Sequence, residues 1–144
     1  MKLFDTEFLN PVLLAAGTCG FGREVADTLD LESLGGFMTK SVTPEPRTGN
    51  PAPRVTEFGA GMLNSIGLAN PGMKAVKRDH LPWIARSIRK ARVWVSVAGH
   101  TITDYLDVVH ELDDAPGFVG FELNLSCPNV GGRPFALDPD AVQQ

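Results

Sequence analysis

Short apolar runs alternate along the chain with segments whose apolar residues recur at helical spacing. The apolar runs predict four strands, at 12–16, 36–39, 92–98 and 118–123. Helical spacing predicts helices at 23–32, 73–90 and 104–112, and a fourth helix that begins at 138. Pro82 indicates a break or a restart in the second helix, and Thr103 is the expected N-cap of the third.

This order of strands and helices is typical of an α/β protein with a parallel sheet. Four βα units make half of a (β/α)8 TIM barrel, which usually needs about 250 residues. We therefore predict that residues 1–144 are one partial barrel domain, the amino-terminal half, truncated after the fourth strand. A hairpin before residue 12 would cover the barrel floor. The alternative is an open doubly wound sheet, but no G-x-G-x-x-G follows the first strand to support its nucleotide-binding version.

The segment 41–72 interrupts this alternation. It holds five prolines, too many for a helix or a central strand, so we predict an irregular stretch. Long loops inside compact domains are uncommon and usually functional.

Composition narrows the class of protein. The net charge of −4 and the pI near 5.3 argue against a nucleic-acid surface. The longest apolar stretch, 12–16, is too short to cross a membrane, and the first residues lack the pattern of a signal peptide. Cys19 and Cys127 are expected to be free thiols. The three histidines are not clustered, so no metal site is expected. A cytoplasmic location is the default.

In a parallel architecture the chemistry lies at the carboxyl ends of the strands. Glycines at 17, 20 and 22 follow the first strand and would allow close approach of a flat or anionic ligand, although a tight turn alone would also need them. Lys40 follows the second strand. Its charge must be satisfied by an anion or an electron-rich ring, or by an ordinary salt bridge, for which Glu122 is available.

The fourth strand is followed by Asn124, Cys127 and Asn129. The two carboxamides could recognise the edges of a planar heterocycle, because an amide both donates and accepts. The thiol becomes a useful base where its surroundings favour thiolate. A lone cysteine could equally be a small buried hydrophobe.

The segment Asn-Leu-Ser-Cys-Pro-Asn at 124–129 resembles the signature loop of dihydroorotate dehydrogenases. Other segments resemble the same family in the same order, so the resemblance covers essentially the whole chain. These segments are 10–22, 40–43, 46–51, 53–54, 61–72 and 96–99.

The resemblance implies an FMN-binding (β/α)8 barrel that oxidises dihydroorotate to orotate in de novo pyrimidine (UMP) biosynthesis. Cys127 would be the catalytic base. The cofactor would contact Ala16, Gly17, Thr18, Lys40, Ser41, Ser96 and Asn124. The substrate would contact Lys40, Asn64, Ser65, Ile66, Gly67, Leu68, Asn124 and Asn129. Because many relatives have asparagine where this chain has Ser96, that contact is expected to be weaker or water-mediated.

A cysteine base resembles the cytosolic class 1 enzymes, and the motifs at 49–54 and 63–68 resemble their NAD-linked subclass. This implies a second subunit carrying FAD and a 2Fe-2S cluster, and a homodimer is expected. The alternatives are a dihydropyrimidine dehydrogenase-like FMN barrel, whose relatives tend to have histidine at the position of Asn129, or an inactive fragment of such an enzyme. The isolated 144-residue half is expected to be inactive.

Overall fold

A four-stranded parallel sheet forms the centre of the protein, in a computed structural model that describes residues 1–3, 5–126 and 134–143. The order of its strands is β3-β4-β7-β8, and two antiparallel pairs, β1-β2 and β5-β6, lie outside it. The strands are β1 Lys2–Leu3, β2 Thr6–Glu7, β3 Leu13–Leu14, β4 Gly36–Met38, β5 Val55–Phe58, β6 Gly61–Asn64, β7 Arg92–Val97 and β8 Gly120–Leu123.

Except at 23–32, helices follow the strands in the order that the sequence predicts. A continuous helical segment consists of α1 Met73–Ala75, a π turn at Val76–His80 and α2 Leu81–Ser87. The later helices are α3 Ile102–Leu112 and α4 Pro139–Gln143, and short 3-10 turns occur at Leu31–Ser33 and Phe135–Leu137. None of the helices within the described ranges is long and apolar enough to cross a membrane.

The predicted α/β class with a parallel sheet is confirmed. In the four-stranded sheet each strand pairs in parallel with the next one along the chain. Phe37 lies beside Val93, for example, and Val95 beside Phe121. The first strand is shorter than predicted, because the chain after Leu14 turns at Gly17, whose φ is 85°. The hairpin predicted before residue 12 is also present, as β1 and β2.

One face of the sheet carries the hydrophobic core. Phe37 on β4 and Val93, Val95 and Val97 on β7 are at most 2% exposed. They pack in one cluster with the helical residues Val76, Leu81, Ile84, Val108 and Leu112. Since side chains alternate along a strand, Met38, Trp94 and Ser96 point to the opposite face.

The amino ends of the strands are covered by the N-terminal segment. The ring of Phe8 stacks on that of Trp94 with centroids 5.3 Å apart, and the Nε of Arg92 donates to the carbonyl of Glu7 at 2.7 Å. This leaves the carboxyl ends of the strands as the open edge of the sheet.

The predicted helix at 23–32 is wrong. The chain there makes successive turns with i→i+3 bonds, such as Val25 N to Gly22 O at 3.2 Å, and ends in the 3-10 turn Leu31–Ser33. Gly22 has a φ of 89°, and the carboxylate of Glu24 accepts from the amide of Phe21 at 2.9 Å. These local interactions compete with a helical path.

The sequence predicts an irregular stretch at 41–72, and this prediction is only partly correct. The segment contains an antiparallel hairpin in which Val55 faces Asn64 and Phe58 faces Gly61. All eight residues of its two strands are exposed. The apolar periodicity that burial imposes on a strand is therefore missing, and the prolines that flank it dominated the prediction.

Two helix boundaries also differ from the prediction. The helix predicted at 73–90 ends at Ser87. The carboxylate of Glu32 accepts from the amides of Arg89 and Lys90 at 2.9–3.2 Å and so ends the helix before them. The N-cap of α3 is Thr101 and not Thr103. The Thr101 hydroxyl accepts from the amide of Asp104, whose carboxylate accepts from the amide of Thr101, which makes a capping box.

Candidate functional site

Three polar side chains meet at the carboxyl edge of the sheet. The hydroxyls of Ser41 and Ser96 lie 2.9 Å apart, and the side-chain amide of Asn124 donates to the Ser41 hydroxyl at 3.1 Å. Ser41 is 5% exposed and Ser96 is fully buried. The family resemblance implies that all three contact the cofactor. They come from segments as far apart as 83 residues, and the structure brings them into one hydrogen-bonded group.

Backbone pairing beyond the ends of the strands holds this group in place. Val42 donates to the carbonyl of Ser96 at 2.8 Å and accepts from Ala98 at 2.9 Å, so β4 and β7 stay in register past Met38. Asn124 donates to the carbonyl of Val97 at 2.8 Å. The site is therefore fixed by the sheet itself.

Lys40, which directly precedes Ser41, is half-buried. Its amide donates to the carbonyl of Gly20 at 2.7 Å, which joins it to the turn after β3. Its neighbour Thr39, fully buried, accepts from the amide of Ser96 at 3.2 Å. Among the described residues, no ion pair with Glu122 or another carboxylate is formed by Lys40. The salt-bridge explanation of Lys40 therefore loses support.

The turn after β3 leaves open space at Gly17. A Cβ built there would meet no atom within 4 Å, and φ is 85°. The hydroxyl of Thr18 donates to the carbonyl of Ala15 at 2.7 Å, which fixes the turn. Ala16 is partly exposed and Thr18 is exposed. A flat ligand could thus approach the backbone of 16–18 closely.

The second predicted group, at 64–68, follows the hairpin. Asn64 ends β6 and is exposed, while Ser65 is bound by the side-chain amide of Asn50, at 3.0 Å to its carbonyl and 2.8 Å to its hydroxyl. Ile66 accepts from the amide of Asn50 at 3.0 Å. Gly67 and Leu68 both have positive φ, 74° and 54°. Cys127 and Asn129, the predicted base and its neighbour, lie outside the described residues.

Sequence reasoning missed several residues that support the site. Asn70 binds Thr43 and Leu68, and Tyr105 donates to the carbonyl of Asn124 at 2.9 Å. Arg47 donates to Nε2 of His100 at 2.8 Å beside a cavity of about 160 Å³. The Asn-Pro-Gly run at 70–72 is a turn signal that could have drawn attention to Asn70; the other contacts join distant segments and leave no local pattern.

Burial shifts the pKa of two groups near the site. It raises the pKa of the Cys19 thiol, which is 2% exposed, and so disfavours the thiolate. It lowers the pKa of His80, whose ring lies 4.1 Å from that of Phe21. Cys19 is thus a poor base or nucleophile. No group of potential metal ligands was found in the part of the chain that the structure describes.

Hydroxyl, amide and ammonium groups gathered where parallel strands end are the arrangement of α/β proteins that bind a ligand in that position. The family model for dihydroorotate dehydrogenase matches residues 1–144 of the chain. The chain belongs to the dihydroorotate dehydrogenase family. This agrees with the motifs at 40–43, 61–72 and 124–129.

Similar proteins carry consistent names. The chain is 50% identical over 132 residues to the catalytic subunit of dihydroorotate dehydrogenase B (NAD(+)) of Desulforudis audaxviator, covering 90% of this chain and 42% of that protein. It is 45% identical over 144 residues to the protein of the same name from Latilactobacillus sakei, covering 99% and 47%. It is 44% identical over 144 residues to dihydroorotate dehydrogenase A (fumarate) of Lactiplantibacillus plantarum, again covering 99% and 47%.

The chain thus spans less than half the length of these relatives.

A solved structure supports the fold. The crystal structure of DHODH from Eimeria tenella in complex with ferulenol superposes with a TM-score of 0.71 at 23% identity, covering 89% of this chain and 36% of that one.

Enzymes of this family are flavoproteins, and the described residues fit a flavin. The open position at Gly17 would admit a planar ring against the backbone. Ser41 and Asn124 supply hydroxyl and amide groups, and Lys40 offers an ammonium that the described carboxylates leave unpaired. We therefore infer that a flavin fits the carboxyl edge of the sheet.

Proposed function

We propose that this chain is the amino-terminal part of an FMN-dependent dihydroorotate dehydrogenase, an oxidoreductase that converts dihydroorotate to orotate in de novo pyrimidine (UMP) biosynthesis. The observation that carries the proposal is the hydrogen-bonded group of Ser41, Ser96 and Asn124 at the carboxyl edge of the sheet. It coincides with the positions that the family resemblance assigns to the cofactor.

We propose that residues 1–144 form part of a (β/α)8 barrel, about four βα units of it. The outer strands of the sheet, β3 and β8, support this, because each has one neighbour in the sheet of the described chain. Next to β8, an apolar cavity of about 260 Å³ is lined by side chains that include Leu106, Leu123 and Phe135. Leu106 and Leu123 are 50% and 53% exposed. An apolar edge of this kind is suited to cover by another βα unit.

FMN would be held by the backbone of 16–18 and by Lys40, Ser41 and Asn124, with Ser96 acting on it through Ser41. When bound, FMN supplies the acceptor for the hydride that leaves C6 of dihydroorotate. The ammonium of Lys40 favours negative charge that develops beside it, because a preorganised charge costs no reorganisation during the reaction.

Dihydroorotate would be held by Asn64, Ser65, Ile66, Gly67 and Leu68, together with Lys40, Asn124 and Asn129. Backbone amides in the 64–68 segment and the side-chain amides can bind the ring carbonyls and the carboxylate. Cys127 would take the proton from C5, which lies α to a carbonyl. The base therefore removes one proton, and the hydride completes the two-electron oxidation.

The relatives named NAD(+)-linked catalytic subunits support NAD⁺ as the final electron acceptor, although a fumarate-linked relative is almost as similar. We propose that the chain works with a partner subunit carrying FAD and a 2Fe-2S cluster, that the catalytic chains form a homodimer, and that the enzyme is cytoplasmic. We expect the isolated 144-residue part to be inactive.

The test is a Cys127→Ala substitution in the full-length enzyme. Dihydroorotate should bleach the flavin absorbance of the wild type, and the variant should do so about 10²- to 10⁴-fold more slowly, the usual contribution of a general base. Cys19→Ala is the matched control, because Cys19 is buried and its pKa is raised. It should keep the wild-type rate. Bleaching at an unchanged rate in Cys127→Ala would contradict the proposed chemistry.

A further inference from the structure

Asn70 has an unusually complete set of hydrogen bonds for a buried side chain. It is 7% exposed. Its amide nitrogen donates to the hydroxyl of Thr43 and to the carbonyl of Leu68, both at 2.8 Å. Its carbonyl oxygen accepts from the amides of Thr43 at 3.2 Å and Gly72 at 2.9 Å. Both donors and both acceptor sites of the carboxamide are used, so asparagine is strongly specified here.

The backbone of Asn70 closes the long segment at its base. Asn70 and Arg47 exchange both backbone hydrogen bonds at 2.9 Å, in an antiparallel bridge. The pairing continues outward, from Asn50 N to Ile66 O at 3.0 Å and from Ser65 N to Arg54 O at 2.8 Å. Residues 47–70 therefore form a stem that ends in the exposed hairpin β5-β6.

The side chain of Asn70 fastens this stem to the sheet edge. Thr43 is 5% exposed and follows Val42, which is fully buried and paired with Val97. Leu68, whose carbonyl Asn70 binds, has a φ of 54°, a conformation that a non-glycine residue rarely keeps without support. Asn70 thus links the 64–68 segment to the segment that carries Lys40 and Ser41.

We propose that Asn70 is a positioning residue, which holds Gly67 and Leu68 at a fixed distance from Lys40 and so determines how tightly the substrate is bound. This inference rests on the proposed function, in which 64–68 and Lys40 both contact dihydroorotate. Asn70 acts through these residues and does not touch the reacting atoms. Its loss should therefore raise KM much more than it lowers kcat.

The experiment compares two asparagine-to-aspartate substitutions in the full-length enzyme. Asn70→Asp keeps the shape and the acceptors but removes both donors. Asn10→Asp is the matched control at the other edge of the sheet. There Asn10 donates to the carbonyl of Ser33 at 2.7 Å and accepts from the amides of Val12 and Gly35, each at 3.0 Å.

Asn70→Asp should raise the KM for dihydroorotate on the order of tenfold, the effect of about one hydrogen bond, with kcat within roughly threefold of wild type. Thr43→Val, which removes one of the partners, should raise KM less. Asn10→Asp should leave KM unchanged, even if it lowers the melting temperature as much as Asn70→Asp does. An unchanged KM in Asn70→Asp, or an equal rise in Asn10→Asp, would overturn the proposal.

Hydrogen exchange separates this inference from the proposed function. If the wild-type enzyme fails to oxidise dihydroorotate, the proposed function is wrong, but the role of Asn70 can still be read from the amides of 65–68. These should exchange faster in Asn70→Asp than in wild type, while the amides of β4 and β7 keep their protection. Unchanged exchange at 65–68 would overturn the positioning role.

Discussion

Ser96 is a fully buried residue whose hydroxyl bonds to that of Ser41. The two hydroxyls lie 2.9 Å apart, and Ser41 in turn accepts from Asn124. The sequence suggested a weak or water-mediated contact of Ser96 with the cofactor. Because Ser96 is fully buried and its hydroxyl bonds to that of Ser41, we propose that Ser96 orients the Ser41 hydroxyl and that Ser41 would contact the cofactor.

His80 makes stability depend on pH. Burial lowers its pKa from the ordinary value of 6.5, so the unfolded chain binds a proton more readily than the folded one. The contribution of neutral His80 to stability is fully present above about pH 6.5. It decreases as the pH falls toward the lower, folded-state pKa. We expect His80→Gln to flatten the decrease in the free energy of unfolding between pH 7 and 5, measured by urea denaturation of the full-length protein.

The control for this prediction is His110→Gln. His110 is exposed on α3, and the decrease between pH 7 and 5 should flatten more in His80→Gln than in this control. A pH profile of His80→Gln that matches wild type would show that another group is responsible.

At the scale of elements, α3 depends on the carboxylate of Asp104. Burial opposes its ionisation, but hydrogen bonds from the amides of His100 at 2.7 Å and Thr101 at 3.2 Å outweigh this and hold the pKa of Asp104 below its usual value. The stabilisation is therefore present above about pH 3.8 and is lost as the pH falls through the lower folded-state pKa.

Replacement of Asp104 by alanine should lower the free energy of unfolding at pH 7 by about 1 kcal/mol, the usual loss for a helix cap. Asp107→Ala, an exposed position on the same helix, should change it by less than about 0.5 kcal/mol. Urea denaturation at pH 7 measures both. Equal effects of the two substitutions would mean that the capping box contributes nothing specific.

At the scale of the whole molecule, the sheet requires glycine where β4 passes β7. A Cβ at Gly36 would collide with the carbonyl oxygen of Arg92 and approach Trp94. Because backbone cannot yield as a side chain can, Gly36→Ala should destabilise the protein by about 1–3 kcal/mol or more. At Gly120, in the same sheet, an added Cβ would meet only side-chain atoms of Trp94, at 3.3 Å and 3.4 Å.

Gly120→Ala is therefore the control and should cost less than about 1 kcal/mol. The melting temperatures of the two full-length variants measure the difference. If Gly36→Ala melted at the temperature of Gly120→Ala, strands β4 and β7 could separate more easily than the structure indicates.

Prediction from sequence succeeded where a local pattern reflects burial. Continuous apolar runs predicted β4 and β7, whose residues are mostly buried. The run 118–123 also predicted β8, although none of its four residues is fully buried. Prediction failed at 23–32, where apolar residues at helical spacing are overridden by Gly22 and by the carboxylate of Glu24. It also failed at the hairpin β5-β6, whose exposed strands carry no burial pattern.

For the site, Lys40 and Asn124 stand directly after predicted strands, and the resemblance to one family also named Ser41 and Ser96. Both signals can be read along the chain. The contacts of Asn70 with Thr43, across 27 residues, and of Arg47 with His100, across 53, could not be read in this way. Nothing in the sequence around either residue of such a pair indicates which residue it contacts.

The sequence by itself determined the α/β class, the order of the strands and the residue types that stand where strands end. These depend on short-range preferences and on burial patterns that each segment carries alone. Only the tertiary structure decided that Ser41, Ser96 and Asn124 share hydrogen bonds and that Asn70 ties residues 64–68 to the sheet. Such contacts depend on the register of paired strands, which places side chains together only once the sheet has formed.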